Sequence, residues 1–247
     1  LLWAHLAATV APAAKDAPTF RVVLCDRTPY KRTEQFLYRL YVVLAQVNQA
    51  IVHFQKRNDL LREICRIAVQ SGNFPLAWIG LVDATTLQLN PAAHDGREEG
   101  FLKSIHLNVN PGSAFSQGPI GQAVLKNQVV ASSDSDPSFQ RSPWRSEMLK
   151  RGYRALAAVP FRLNGAVIGT LNLYFDEPCV FTEAELDLLR RIGGTLSFAL
   201  DCLEIEKSRQ RAEAEAEAEA ERRDRAAKAA AQARELRARL AEQRTSA

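Results

Sequence analysis

Three features of this 247-residue chain predict an α+β fold: an antiparallel β-sheet flanked by helices, with long helices at its N- and C-terminal ends. The first is YRALAAVPFRL-NG-AVIGTLNLYF, residues 153–175, two strand-like runs joined by Asn164-Gly165. That pair suits a type I′ hairpin turn, whose two central residues both need positive φ. The second is Thr182-Glu183-Ala184-Glu185, a capping box with Thr at the N-cap and Glu three residues on, which opens a helix. The third is a pair of narrow apolar seams with 3-4-3-4-3 spacing. One runs Leu37, Leu40, Leu44, Val47, Ile51 and Phe54; the other runs Leu186, Leu189, Gly193, Leu196, Leu200 and Leu203. A seam this narrow suits a helix that pairs with another helix.

The remaining elements follow in order. A helix after Thr33 carries the first seam. From Asn58 and Asp59 its apolar stripe widens through Leu60, Leu61, Ile64, Ile67 and Ala68, as it should where a helix packs on a sheet. AWIGLV (77–82) and TLQLNPAAH (86–94) read as strands, the first apolar enough to be buried on both faces. REEGFLKSI is a short helix, HLNV a short strand, GPIGQAVLKNQ a helix and VVAS a strand. Pro160 predicts a bulge or an interrupted ladder in the first hairpin run. Beyond Ile205 no large apolar residue occurs before Leu236, and the segment is Ala, Glu, Arg and Lys. Such a sequence forms helix readily but has nothing to bury, so it is expected to be a solvated or weakly coiled connecting helix.

Composition excludes several function classes. Lys+Arg total 32 against 28 Asp+Glu, a formal +4 split evenly between residues 1–205 and 206–247. Neither part has the one-sided basic field of a nucleic-acid binder. Cys25, Cys65, Cys179 and Cys202 form no C-x-x-C pair and read as reduced thiols of a cytoplasmic protein. The opening LLWAHLAATVAPAA is apolar but lacks a basic n-region and is too short to span a bilayer. The one methionine is Met148, so a chain that is trimmed, or a piece of something longer, is expected.

The stretch DPSFQRSPWRSEMLKRGY, residues 136–153, sets aromatics and arginines among Pro, Ser and Asp. Ser142 as N-cap, Pro143 at N1 and Gly152 at C′ predict a short helix. Trp144 and Arg145 then sit in its first turn, where free N–H groups favour an anion.

LLREICRIAVQSGNFPLAWIGLVD, GPIGQAVLKNQVVASSDSDPSF, WRSEMLKRGYRALAAVPFRLNGAVIGTLNLYF and FTEAELDLLRRIGGTLSFAL, in that order, resemble a GAF domain. The resemblance implies a GAF-like antiparallel β-sheet at residues 58–205, between a coiled-coil linker helix at 33–57 and a connecting helix at 206–247. Residues 1–32 resemble the last two strands of a PAS domain and its exit motif, with Cys25-Asp26-Arg27-Thr28-Pro29-Tyr30-Lys31-Arg32 in the place of an Asp-Ile-Thr-like turn. An ordinary N-terminal hairpin is the alternative.

By the same resemblance, segment 136–153 lies over the sheet face that holds ligands in GAF domains. The candidate ligand-binding residues are Trp78, Phe101, Phe139, Trp144, Arg145, Tyr153 and Arg154. The aromatics would wall a small pocket, and Arg145 or Arg154 would meet a carboxylate. The plainer reading is that the aromatics plug the sheet and the arginines are solvated.

No catalytic or metal-binding residue is expected, and no cofactor is assigned. Free methionine sulfoxide reductases, which resemble GAF domains, need cysteines around the pocket, and none occurs between His94 and Arg154. The same gap argues against linear tetrapyrrole attachment. His94 and His106 lack further ligands at suitable spacing. Phe175-Asp176-Glu177 resembles part of the cyclic-nucleotide GAF signature, without its other elements.

The expected function is a non-catalytic sensory module of a bacterial-type regulator that binds a small ligand. It would form a homodimer through helices 33–57 and 183–205 and act on an output domain of kinase or diguanylate cyclase/phosphodiesterase type. The alternatives are a ligand-free dimerisation spacer and a GAF-type redox enzyme.

Overall fold

The computed structural model describes residues 4–11, 19–26 and 28–245. Strands β1 (Ala4–Ala11) and β2 (Thr19–Asp26) form an antiparallel hairpin, with Ala4 opposite Asp26 and Ala11 opposite Thr19. Helix α1 (Thr28–His53) begins five residues before the expected start, and α2 (Arg57–Gln70) follows the break at 54–56. Then come β3 (Leu76–Val82), β4 (Gln88–Gly96), α3 (Phe101–Ser104) and β5 (Leu107–Asn108). The second half holds α4 (Pro119–Lys126), β6 (Val130–Ser133), α5 (Pro137–Gln140) and α6 (Arg145–Lys150). It ends with β7 (Ala155–Leu163), β8 (Ala166–Phe175) and α7 (Glu183–Thr245).

Strands β3 to β8 form a single antiparallel sheet in the order β5-β4-β3-β8-β7-β6. The turn between β7 and β8 has Asn164 at φ 51° and Gly165 at φ 82°, the two positive values a type I′ turn requires. Pro160 keeps its place in the ladder opposite Thr170, just past the last β6 pair; the register shifts one residue later, between Phe161 and Arg162.

Strand alternation divides the core into two layers. The back face presents Ala77, Ile79, Ala157, Val159, Leu171 and Leu173, all fully buried. Helix α7 closes on it so tightly that a Cβ on Gly193 would stand 2.8 Å from the Pro160 carbonyl oxygen and from Val159 Cγ1. Ser197 Oγ accepts the Arg162 N–H at 2.9 Å beside this contact. The capping box that starts α7 is complete: Thr182 N–H donates to Glu185 Oε2 at 2.6 Å, and Glu185 N–H to Thr182 Oγ1 at 3.4 Å. The front face presents Trp78, Leu156, Ala158 and Tyr174 to the layer of α3, α4, α5 and α6.

Both apolar seams turn inward. Leu40 and Val47 of α1 are fully buried, as are Leu189 and Leu196 of α7, with Leu200 2% exposed. Arg39 pins α1 to the turn after α2, donating from Nε and Nη2 to the carbonyls of Gly72 and Asn73, with its guanidinium 4.8 Å from the Phe74 ring centre. Phe36 packs edge-on against Phe74, Phe175 and Phe181. A 3-4 seam buries equally well against its own sheet and helices, and Leu40, Val47, Leu189, Leu196 and Leu200 are used that way, while Leu37, Leu44, Ile51, Phe54, Leu186 and Leu203 are half-buried. Among the described residues, the large apolar side chains left exposed on these helices are Tyr38, Tyr41 and Val52 on α1 and Phe198 and Ile205 on α7.

The chain divides into two units, Leu1–Leu200 and Asp201–Ala247. In the second, residues 207–234 are exposed and the helix is laced by Arg209–Glu213, Arg223–Glu219, Arg225–Glu221 and Lys228–Asp224 pairs at 2.6–3.0 Å. Each such pair supports a helix by only about 0.2–0.5 kcal/mol. Among the described residues, no helix is long and apolar enough to cross a membrane.

Candidate ligand pocket on the front face of the sheet

Between the front face and its helical layer lies a small enclosure. Ile105 and Leu107 close one side, Gly118 to Gly121 at the start of α4 another, and Ser142, Pro143, Trp144 and Met148 the outside, over Leu156 and Tyr174 of the sheet. Its free space is about 10 Å³, room for about one water molecule. Tyr174 is the only titratable side chain in the wall, and its burial raises the phenol pKa and keeps it protonated.

The outer wall is set by local chemistry. Ser142 Oγ accepts the Trp144 N–H at 3.4 Å, an extra turn that delays α6 until Arg145. The helix therefore starts two residues later than the sequence suggests, with Trp144 as its N-cap. It ends as expected: Gly152 takes φ 78°, its N–H reaches the Leu149 carbonyl at 3.0 Å, and the Tyr153 N–H reaches that of Met148 at 2.9 Å. These two bonds make a Schellman motif and aim Tyr153 back into the core.

The seven candidate residues fall into three groups. Trp144 is half-buried in the pocket wall. Trp78, Phe101, Phe139 and Tyr153 are fully buried in the front-face core behind it. Phe101, Tyr153 and Tyr174 form a ring cluster with centroids 4.9–5.9 Å apart. Arg145 and Arg154 are exposed, and neither lines the pocket. Arg154 instead holds Asp134 at 2.5 Å, joining the end of β6 to the start of β7.

Sequence reasoning missed Arg151, the arginine that ties the lid down. Its Nη1 pairs with Glu147 at 2.8 Å, its Nη2 donates to the Glu99 carbonyl at 3.0 Å, and its guanidinium lies 5.4 Å from the Phe101 ring centre. The Tyr153 hydroxyl donates to the neighbouring Arg97 carbonyl. The α6 segment is thus strapped to the loop before α3 at two points.

Tyr174, Asn172 and Thr170 were also missed. Alternation on β8 puts all three on the front face, each at most 1% exposed. Their polar atoms have no hydropathy signature beyond an interruption in an apolar strand.

No described cysteine lines the pocket. Cys65 is buried on α2, and desolvation pushes its thiol pKa up; burial pushes the Cys179 thiol up to about 11. Cys202 is exposed on α7. Among the described residues no group of three or more His, Cys, Asp or Glu is placed to hold a metal ion, and His94 and His106 are both exposed.

No match is found among curated proteins. Among solved structures, the chain is similar to free methionine-R-sulfoxide reductase from Neisseria meningitidis in complex with its substrate, at 19% identity and a TM-score of 0.56 over 68% of this chain and 91% of that one. It is similar to the GAF domain of a phosphoenolpyruvate-protein phosphotransferase from Coxiella burnetii, at 15% identity and a TM-score of 0.56 over 70% and 98%. A third, the A. aeolicus nlh2 GAF domain in an inactive state, is 12% identical with a TM-score of 0.52 over 67% and 97%. At these identities the likeness establishes the fold. The GAF domain family itself matches residues 55–201, more than half of the sequence, and the chain belongs to the GAF domain family.

Proposed function

We propose that this chain is a non-catalytic sensory GAF module that takes a small molecule into the front-face pocket. Entry of a ligand displaces the α4 and α6 walls, and the change passes through α1 and α7 to an output domain of kinase or diguanylate cyclase/phosphodiesterase type in a longer protein. The observation that carries this reading is an apolar pocket set against a sheet face with buried polar atoms, which pure packing would avoid. The signalling helices dimerise through the surface left outside the core, Tyr38, Tyr41 and Val52 of α1 together with Phe198 of α7.

The solved reductase structures favour a second reading, a redox enzyme. That chemistry runs through thiolates. Burial opposes a thiolate at Cys65 and Cys179, and no described cysteine borders the pocket, so the sensory reading is preferred. A native mass spectrum of freshly purified protein tests it. The expected species is a dimer carrying a small molecule that collisional activation releases. A monomer or dimer with only the polypeptide mass contradicts ligand sensing and favours a structural spacer.

A further inference from the structure

Helix α7 separates its charges into two blocks along residues 212–234, all of which are exposed. Glu213, Glu215, Glu217, Glu219 and Glu221 make the stretch 212–221 purely acidic. The stretch 222–234 reverses the sign, with Arg222, Arg223, Arg225, Lys228 and Arg234 against Asp224 alone. Ion pairs within the helix reach only the margins of the acidic block. Arg209 meets Glu213 at 2.6 Å on one side, and Arg223 and Arg225 meet Glu219 and Glu221 at 2.6 and 3.0 Å on the other. At its centre, Glu217 has only Glu213 and Glu221 at four-residue spacing, and like charges so placed oppose the helix. A solvated helix that stands alone gains nothing from this segregation, since mixed signs at the same spacing would support it better. Every uncharged residue of 212–234 except Gln232 is alanine, small enough for a second helix to approach closely.

We infer that residues 212–234 are a self-recognition surface whose occupant is the same segment of a second copy, lying antiparallel. Because α7 runs unbroken through Glu221 and Arg222, the two blocks of one chain cannot meet each other. A second copy turned end for end about that boundary lays its basic block on the acidic one and its acidic block on the basic one, so a single two-fold contact satisfies both. The blocks span about 15 and 20 Å at about 1.5 Å per residue, a near match in length. An in-register parallel copy would set acid against acid and base against base, so the same pattern that favours one orientation rejects the other. Exposed charge pairs are individually weak and are screened by salt, which makes the contact reversible and sensitive to ionic strength. It is separate from the dimer surface proposed for α1 and Phe198, and it does not depend on the pocket.

Sedimentation of the full chain tests the pairing. The assembled mass at about 25 mM salt should fall by half at about 1 M, where charges are screened beyond about 3 Å. One variant replaces Glu213, Glu215, Glu217, Glu219 and Glu221 by Lys; a second replaces Arg222, Arg223, Arg225, Lys228 and Arg234 by Glu. These positions are exposed and lie outside the Leu1–Leu200 unit, so both variants should keep the fold. Each alone should stay at the halved mass in low salt, and mixing the two should restore the larger one. Orientation is read by cross-linking with a short bis-maleimide in chains whose exposed Cys202 is replaced by Ser. A chain carrying Ala214→Cys should join one carrying Ala229→Cys in preference to its own kind. A mass that ignores salt, variants that assemble like the wild type, or a mixture that stays at the halved mass overturns the assignment, as does preferential joining of Ala214→Cys chains to one another. If the wild type keeps one mass at both salt concentrations and its basic block instead binds anionic vesicles, the surface meets a membrane and the self-recognition reading fails.

Discussion

The two faces of the central sheet come from the same three strands and are equally buried, yet they bury different chemistry. On β8, Leu171 and Leu173 point back into an apolar layer, while Thr170, Asn172 and Tyr174 point forward, and all five are at most 1% exposed. The back face is built to pack: on β3, β7 and β8 Ala77, Ile79, Ala157, Val159, Leu171 and Leu173 carry no polar side chain, polar ones standing on the flanking strands at Asp95 and Ser133, and α7 approaches until a single glycine hydrogen fills the gap. The front face keeps an indole N–H and an amide oxygen without protein partners. A buried polar group left unpaired costs about 1–3 kcal/mol, so a face that tolerates two is doing something besides holding the domain together.

Neighbouring glycines on α7 give the sharpest way to break this contrast. Gly193 faces Pro160 and Val159 with no room for a Cβ, whereas Gly194 has nothing within 4 Å. Gly193→Leu should leave little folded protein, since it drives four carbons into a strand backbone. Gly194→Ala should raise stability by about 0.5–1 kcal/mol through helix propensity. Denaturant unfolding of the two variants checks both signs; similar effects would mean that α7 does not press on the back face as described.

A smaller effect is expected at the front-face lid. Hydrogen bonds from Lys150 and Arg151 hold the Glu147 carboxyl below its ordinary pKa of 4.5. A carboxyl depressed by folding adds stability above its unfolded pKa, and that stability is lost as the pH falls through the lower folded value. Amide exchange in residues 145–153, corrected for the intrinsic rate, should therefore accelerate below about pH 4.5, and Glu147→Gln should remove that dependence. Acceleration confined to the back-face elements would contradict the assignment of Glu147 to the lid.

Much of the frame was legible because its signals are local. Asn164-Gly165, the Thr182–Glu185 box and Gly152 each fix a backbone conformation from adjacent residues, and all three are used as the sequence suggests. The site was less legible because it depends on register between distant strands. Trp78 and Asn172 meet only when β3 and β8 pair, 94 residues apart, and no sequence pattern announces that an amide will stand opposite an indole. The arginines illustrate the same limit. Delay of α6 by the Ser142 turn leaves Arg145 exposed, and Arg151, unremarkable in sequence, becomes the latch. The narrow seams were legible as apolar stripes, but spacing alone does not say whether a stripe meets a partner chain or its own sheet.

The most direct measurement compares two adjacent residues of one strand. Leu173→Ala, on the back face, should cost about 2–5 kcal/mol in equilibrium unfolding, the usual loss for a core leucine. Asn172→Leu, one residue away and equally buried, should cost less, about 0.5–1.5 kcal/mol, because the amide oxygen has no partner and only the Nδ2 bonds centred on Thr170 Oγ1 are lost. A loss at Asn172 as large as that at Leu173 would show that the front-face amide serves packing, and would contradict the division of the sheet into a structural and a sensing face.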